Sequence, residues 1–197
     1  MALKQFAELH PDEEEPAVRW LPFQLNPDLP ESGIGRLDYI QRKFGGGGHA
    51  KYQRVADVGK TVGLDMQFEK ITVQPNTVKV HRLLHRAGEL GKQDAMAEAL
   101  FRAYFVEGAN LTDSAVLAGY AAQAGLDQTE TATYLDTDAD ADLIRTADVE
   151  ARQMGVEGVP FFIFNRTVGV SGAQDPEVLL QAMEQAMGQA KTGGDKA

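Results

Sequence analysis

The 197 residues include no cysteine. Thiolate nucleophiles, disulfides and thiolate metal ligands are therefore all excluded, and any chemistry falls to oxygen, nitrogen and backbone groups. His81 and His85 stand one helical turn apart, as two zinc ligands do, but Arg82 rather than an acid follows His81, so the His-Glu-x-x-His pattern is not met. We read them as surface or core-edge histidines and expect no metal site. Asp136, Asp138, Asp140 and Asp142 alternate as in a calcium loop. Ala141 stands where glycine must turn such a loop and Ala147 where its bidentate Glu belongs, so acids at the positive end of a helix dipole explain the pattern better. Gly45 to Gly48 lacks the Gly-Lys-Ser/Thr ending of a phosphate cradle and reads as a flexible connection. Ser171 has no His or Asp in local register and is not read as a nucleophile. Asn76 stands at a helix entrance, where it is either an N-cap or a ligand contact. Gly158-Val159-Pro160 precedes an aromatic run, so Pro160 either forms a cis X-Pro bond in a tight local geometry or is a trans proline that opens an edge strand.

Composition narrows the partners. With 29 acidic against 19 basic residues, the net charge of -10 opposes binding to phosphate backbones, which depends on Lys and Arg releasing counterions. Nucleic acid is thus not an expected partner. No apolar run approaches the roughly 20 residues that cross a bilayer, and Met1-Ala2-Leu3-Lys4-Gln5-Phe6 lacks the apolar block of a secretory signal. We therefore expect no membrane partner and a cytoplasmic location. The hydrophobic share of 43% is that of a chain that folds.

The elements that must position these residues follow from periodicity and turn chemistry. Leu3, Phe6, Ala7 and Leu9 have helical spacing up to Pro11. Residues 17–25 read as a strand that Pro22, having no N–H, pushes toward an edge. Leu37, Ile40, Gln41 and Phe44 suggest a short helix, residues 49–61 another, and residues 66–68 a short extended piece. Residues 76–108 form two helices parted near Gly91, with Val80, Leu83, Leu84, Ala87, Met96, Leu100, Ala103 and Tyr104 as the apolar positions. Residues 113–124 follow as a helix. Asp127 and Glu130 have capping-box spacing, and a further helix covers about residues 139–154. Residues 160–164 and 167–170 then read as an antiparallel hairpin turning at Asn165-Arg166. Asp175-Pro176-Glu177 opens a last helix to about Ala190, and residues 193–197 read as a frayed tail.

Five separated segments, in this order, carry a family resemblance. They are residues 18–27; Pro75-Asn76-Thr77 with His81-Arg82-Leu83; Leu100 to Phe105 with Glu107-Gly108; Gly155 to Phe164; and Val170-Ser171-Gly172-Ala173-Gln174. The chain resembles the DsbA family, most closely its FrnE-like branch, which is similar to the 2-hydroxychromene-2-carboxylate isomerases and kappa-class glutathione transferases. The resemblance implies an α/β, thioredoxin-like fold with a large all-helical insertion. Residues 1–35 and 155–197 would form the thioredoxin-like domain, and residues 36–154 the helical subdomain. In the family a first strand and a Cys-x-x-Cys turn at a helix N-terminus precede the segments found here, and the helix lowers the thiolate pKa. This chain shows neither, so we expect no catalytic residue of its own. We also expect either a start further upstream or a rearranged sheet, with a homodimer as one way to pair the edges.

The same resemblance implies a substrate-binding role for Gly158, Val159 and Pro160. A cis bond at Pro160 would expose the Val159 backbone to an extended peptide or to glutathione, while Asn76 and His81 would shape the cleft. The implied partner is a protein, peptide or thiol substrate. No cofactor is expected, although glutathione could serve as co-substrate. The implied function is that of a thiol-disulfide oxidoreductase family member inactive in dithiol exchange as it stands. The alternative is a non-redox peptide- or glutathione-binding module, or an isomerase-like protein of the same fold.

Overall fold

A computed structural model describes the backbone of residues 1–193 and the side chains up to Ala190. The expected tail residues 194–197 lie outside that range. By its contacts the chain divides into two compact units, one of residues 1–18 with those from Glu150 onward, the other Arg19–Val149. The breaks thus fall at 18/19 and 149/150, whereas the sequence places them at 35/36 and 154/155.

The first unit holds α1 (Ala2–Leu9), a hairpin of β1 (Phe161–Phe164) and β2 (Val168–Ser171), and α2 (Pro176–Gly193). The hairpin pairs Phe161 with Ser171 through to Phe164 with Val168. Asn165 and Arg166 both take positive φ, 47° and 60°, which is the twist a two-residue turn needs to join two right-handed strands. Asn165 suits that conformation because its short polar side chain tolerates it, and its amide also donates to the Ala186 carbonyl. α2 packs on α1 and on both strands, and Phe6, Val156, Ala182, Met183 and Ala186 are buried. At the far end of α1, the His10 ring stacks against Phe6 and pairs with Glu184 of α2 at 3.0 Å.

The second unit is helical. It contains α3 (Arg36–Phe44), α4 (Gly48–Thr61), α5 (Val78–Glu89), α6 (Gln93–Phe105), α7 (Ser114–Gln123), α8 (Gln128–Leu135) and the first nine residues of α9 (Ala141–Gln153). Its core is built from α5 to α8: Leu83, Met96, Leu117 and Leu135 are essentially inaccessible, with Leu100, Ala103 and Ala121 beside them. The apolar positions expected at helical spacing in α5 and α6 face this core, with Leu84 and Tyr104 at its edge. Asp113 caps α7 by accepting from the Ala115 and Val116 amides, and Asp127 caps α8 by accepting from the Glu130 amide.

Three expectations are corrected. Residues 17–25 form no strand. The only ladders among the described residues are the hairpin above and a two-residue pair, β3 (Ile34–Gly35) with β4 (Val73–Gln74). Trp20 and Gln24 take their hydrogen bonds from side chains instead. Residues 66–68 form no strand: Phe68–Lys70 make a 3-10 turn, with the Phe68 ring lodged between Tyr52 and Phe105 at 5.1 and 6.0 Å. The four-glycine run, expected to be a flexible connection, has helical backbone. Gly45–Gly47 form a 3-10 turn and Gly48 opens α4. A Cβ at Gly48 would stand 2.3 Å from Ile40 Cγ2, so the crossing of α3 and α4 requires a residue without a side chain there.

Candidate functional site

In the first unit the Val159–Pro160 peptide bond is cis. Pro160 immediately precedes β1, and its carbonyl accepts from the Gly172 amide at 2.8 Å, extending the hairpin by one bond beyond the ladder. Pro160 is exposed, and Val159 is 48% exposed despite being apolar. A Cβ on Gly158 would meet nothing within 4 Å. The 158–160 segment is thus an accessible stretch of backbone ahead of a strand, anchored on one side only. Ser171 lies at the end of β2, where its carbonyl accepts from Gln174.

In the second unit Asn76 has both ends of its amide engaged. Its Nδ2 donates to the Leu29 carbonyl at 2.7 Å, and its Oδ1 accepts from the Val78 amide at 3.0 Å. The helix cap itself is Thr77, which makes no side-chain cap bond; Asn76 closes an Asx turn one residue before it and pins the loop at Leu29 as well. His81, on α5, is partly buried. Burial pushes its pKa below the usual 6.5, partly offset by a hydrogen bond with the Phe23 backbone and by the nearby Asp148 carboxylate. His85 faces Glu89 at 3.8 Å rather than a metal partner, and among the described residues no cluster of His, Asp and Glu could hold a metal ion.

Sequence reasoning missed several polar residues. Asp148, on α9, is 3% exposed and accepts from the Gln24 amide at 2.7 Å. With His81 at Phe23 and Gln93 at Trp20, it completes a set of helix side chains holding the 20–24 segment. Arg36, 7% exposed, lies 4.4 Å from the Tyr52 ring centre and 5.6 Å from that of Tyr39, and it donates to Gln74 Oε1. Tyr104 lies in the same cluster, and burial pushes its phenol up to about 12. Arg82, 2% exposed, ties α5 to the 134–139 stretch through the carbonyls of Ala139 and Tyr134. None of these side chains stands in a recognisable motif. The one signal in the sequence was a charge at an apolar phase of a helix, as with Asp148, four residues after Ile144 and seven after Ala141.

A hairpin opened by an accessible X-Pro segment and backed by a C-terminal helix, with a helical bundle inserted ahead of it in sequence, defines a thioredoxin-like protein with a helical insertion. The chain belongs to the DSBA-like thioredoxin domain family, which it matches over residues 1–184. It is similar to a probable DsbA oxidoreductase from Streptomyces coelicolor, SCO1869: the two structures superpose with a TM-score of 0.81 at 32% identity, covering 95% of this chain and 82% of that one. It is also 25% identical to the uncharacterized protein YwbO of Bacillus subtilis (strain 168), over 84% of this chain and 80% of the relative. Among the described residues no helix is long and apolar enough to cross a membrane.

Proposed function

We propose that these residues are the polypeptide-holding part of a FrnE-like disulfide oxidoreductase, and that as they stand they do not exchange disulfides. The observation that carries this reading is the pairing of an accessible 158–160 segment with a side-chain inventory that contains no sulfhydryl. Thiol–disulfide exchange begins with a thiolate attacking a disulfide sulfur, and no residue of this chain can make that attack. What remains is positioning. An extended polypeptide laid alongside Val159 adds main-chain hydrogen bonds at the entrance to β1, and the exposed Val159 and Pro160 offer apolar contact, as in strand-addition recognition. Similarity to the probable DsbA oxidoreductase of Streptomyces coelicolor supports the same assignment.

Two measurements test the proposal. In an insulin-reduction assay with dithiothreitol, the chain is expected to leave the onset of turbidity where dithiothreitol alone puts it. Earlier onset overturns the proposed inactivity. Reduced, S-alkylated insulin B chain titrated into the labelled protein is expected to shift the backbone amide of Val159 first. No shift there rejects the holding role. Glutathione in the same titration separates the alternative, since a Val159 shift with glutathione but not with the peptide moves the assignment to an isomerase-like protein of the same fold.

A further inference from the structure

We infer that Arg36 and the tyrosines around it form a binding site for a small organic carboxylate. The site lies within the helical unit and is independent of the function proposed for the 158–160 segment.

A guanidinium stays charged in proteins, so an arginine that is only 7% exposed carries its full positive charge into a poorly solvated place. Buried charges are ordinarily paired with an opposite one. Arg36 is not: among the described residues it belongs to no ion pair. The single acceptor its side chain reaches is the neutral Gln74 Oε1, through Nη1. The ring faces of Tyr52 and Tyr39 offset part of the charge. Nε, however, is shut off from solvent and has no acceptor.

The bare part of the side chain defines the group that is lacking. Nε–H and the adjacent Nη2–H point the same way along one edge of a guanidinium, spaced to match the two oxygens of a carboxylate. Gln74 takes Nη1, which lies off that edge. The edge built for a two-oxygen acceptor is thus the one without a partner.

The surroundings donate as well. Lys43, one turn after Tyr39, donates to the Tyr39 hydroxyl at 2.7 Å and is likewise in no ion pair among the described residues. The Tyr104 hydroxyl, kept protonated by burial that pushes it up to about 12, lies 3.5 Å from the same Gln74 oxygen. Asp38 is exposed and lies over Gly35 instead, where a Cβ would stand 3.2 Å from its Oδ2, and Glu69 is exposed and joins no ion pair. Tyr52 and Tyr104 are half-buried, so two walls of the cluster reach solvent. One guanidinium edge between aromatic walls suits a planar, singly charged acid. The second charge of a phosphate would have only the exposed Lys43 to meet it.

Benzoate added to the intact chain tests this, with sodium chloride at the same ionic strength as control. The Arg36 Nε–H resonance is expected to move with benzoate, and the melting temperature to rise with its concentration, because a ligand bound by the folded chain alone stabilises it. Arg36→Lys keeps the charge but loses the fork, and is expected to bind benzoate about tenfold or more weakly. Arg36→Met removes the charge and is expected to gain nothing from benzoate; if that variant does not fold, the resonance and Arg36→Lys decide. The inference is overturned if benzoate moves neither the resonance nor the melting temperature, or if Arg36→Lys binds it as wild type does. Phosphate giving both effects at the same concentration overturns the carboxylate assignment. So does a short peptide that binds through its own terminal carboxylate where benzoate does not, which makes the ligand a chain end.

Discussion

Gln93 holds Trp20 by both of its backbone groups: Oε1 accepts from the Trp20 amide at 3.0 Å, and Nε2 donates to the Trp20 carbonyl at 3.1 Å. A side-chain amide thus does what a neighbouring strand would do for an extended residue. The same Nε2 also reaches the Leu84 carbonyl at 3.2 Å, so the segment is moored to α5 and α6 together.

Replacing Gln93 by Ala is expected to release Trp20 without unfolding the chain. The contact is exposed, so the cost is about 1 kcal/mol. Trp20 is the single tryptophan, and its indole donates to Asp94 at 2.6 Å. Red-shifted emission with faster exchange of the Trp20 amide, at nearly unchanged urea midpoint, is the expected signature. An unaltered exchange rate would show that Gln93 holds nothing.

Asp148 acts at a buried place, and its removal is expected to cost more. Asp148→Ala takes the acceptor from the Gln24 amide, which is itself 3% exposed, at about 1–3 kcal/mol for the unmatched donor. Asp148→Asn keeps an acceptor oxygen and is expected to lose less. Urea unfolding of the pair decides, and equal losses would point to volume or charge rather than to the hydrogen bond.

His81 makes stability depend on pH with a definite sign. Burial lowers its folded-state pKa below the unfolded value of 6.5, so the unfolded chain binds the proton more readily. The contribution of the neutral ring is complete above 6.5 and is lost as pH falls from there through the folded pKa. Between about pH 7.5 and pH 5, wild type is expected to lose more stability than His81→Gln, once the shared loss from carboxylates is subtracted. An NMR titration in which His81 takes up its proton at or above the model-peptide pH would refute this.

Two glycines give opposite expectations for the same substitution. Gly48→Ala drives a Cβ into Ile40 and toward Phe44, an overpacking worth about 1–3 kcal/mol of destabilisation. Gly119→Ala, inside α7 with nothing within 4 Å, is expected to stabilise by up to about 1 kcal/mol through helix propensity. Thermal melts of both variants check the contrast, which fails if the two shift in the same direction.

By itself the sequence determined what depends on neighbours along the chain. The apolar rows from Val80 to Ala87 and from Met96 to Ala103 have the helix period, and Asp113 and Asp127 mark helix starts because a short acceptor side chain satisfies the amides just after it. The 160–170 hairpin follows from an aromatic run, a turn-forming Asn165 and an alternating return. The absence of cysteine bounded the chemistry before any fold was known.

Only the tertiary structure decided the rest, because it depended on partners distant in the chain. Residues 17–25 have strand composition, yet a strand is defined by a ladder, and here Gln93 and Asp148, more than 70 positions away, satisfy the backbone in its place. The glycine run reads as slack until Ile40 is brought against Gly48. Two arginines and an aspartate look like solvated charges in the sequence, and His81 like a surface or core-edge ring; folding withdraws them from water, which changes what each can bind and when His81 can carry a proton.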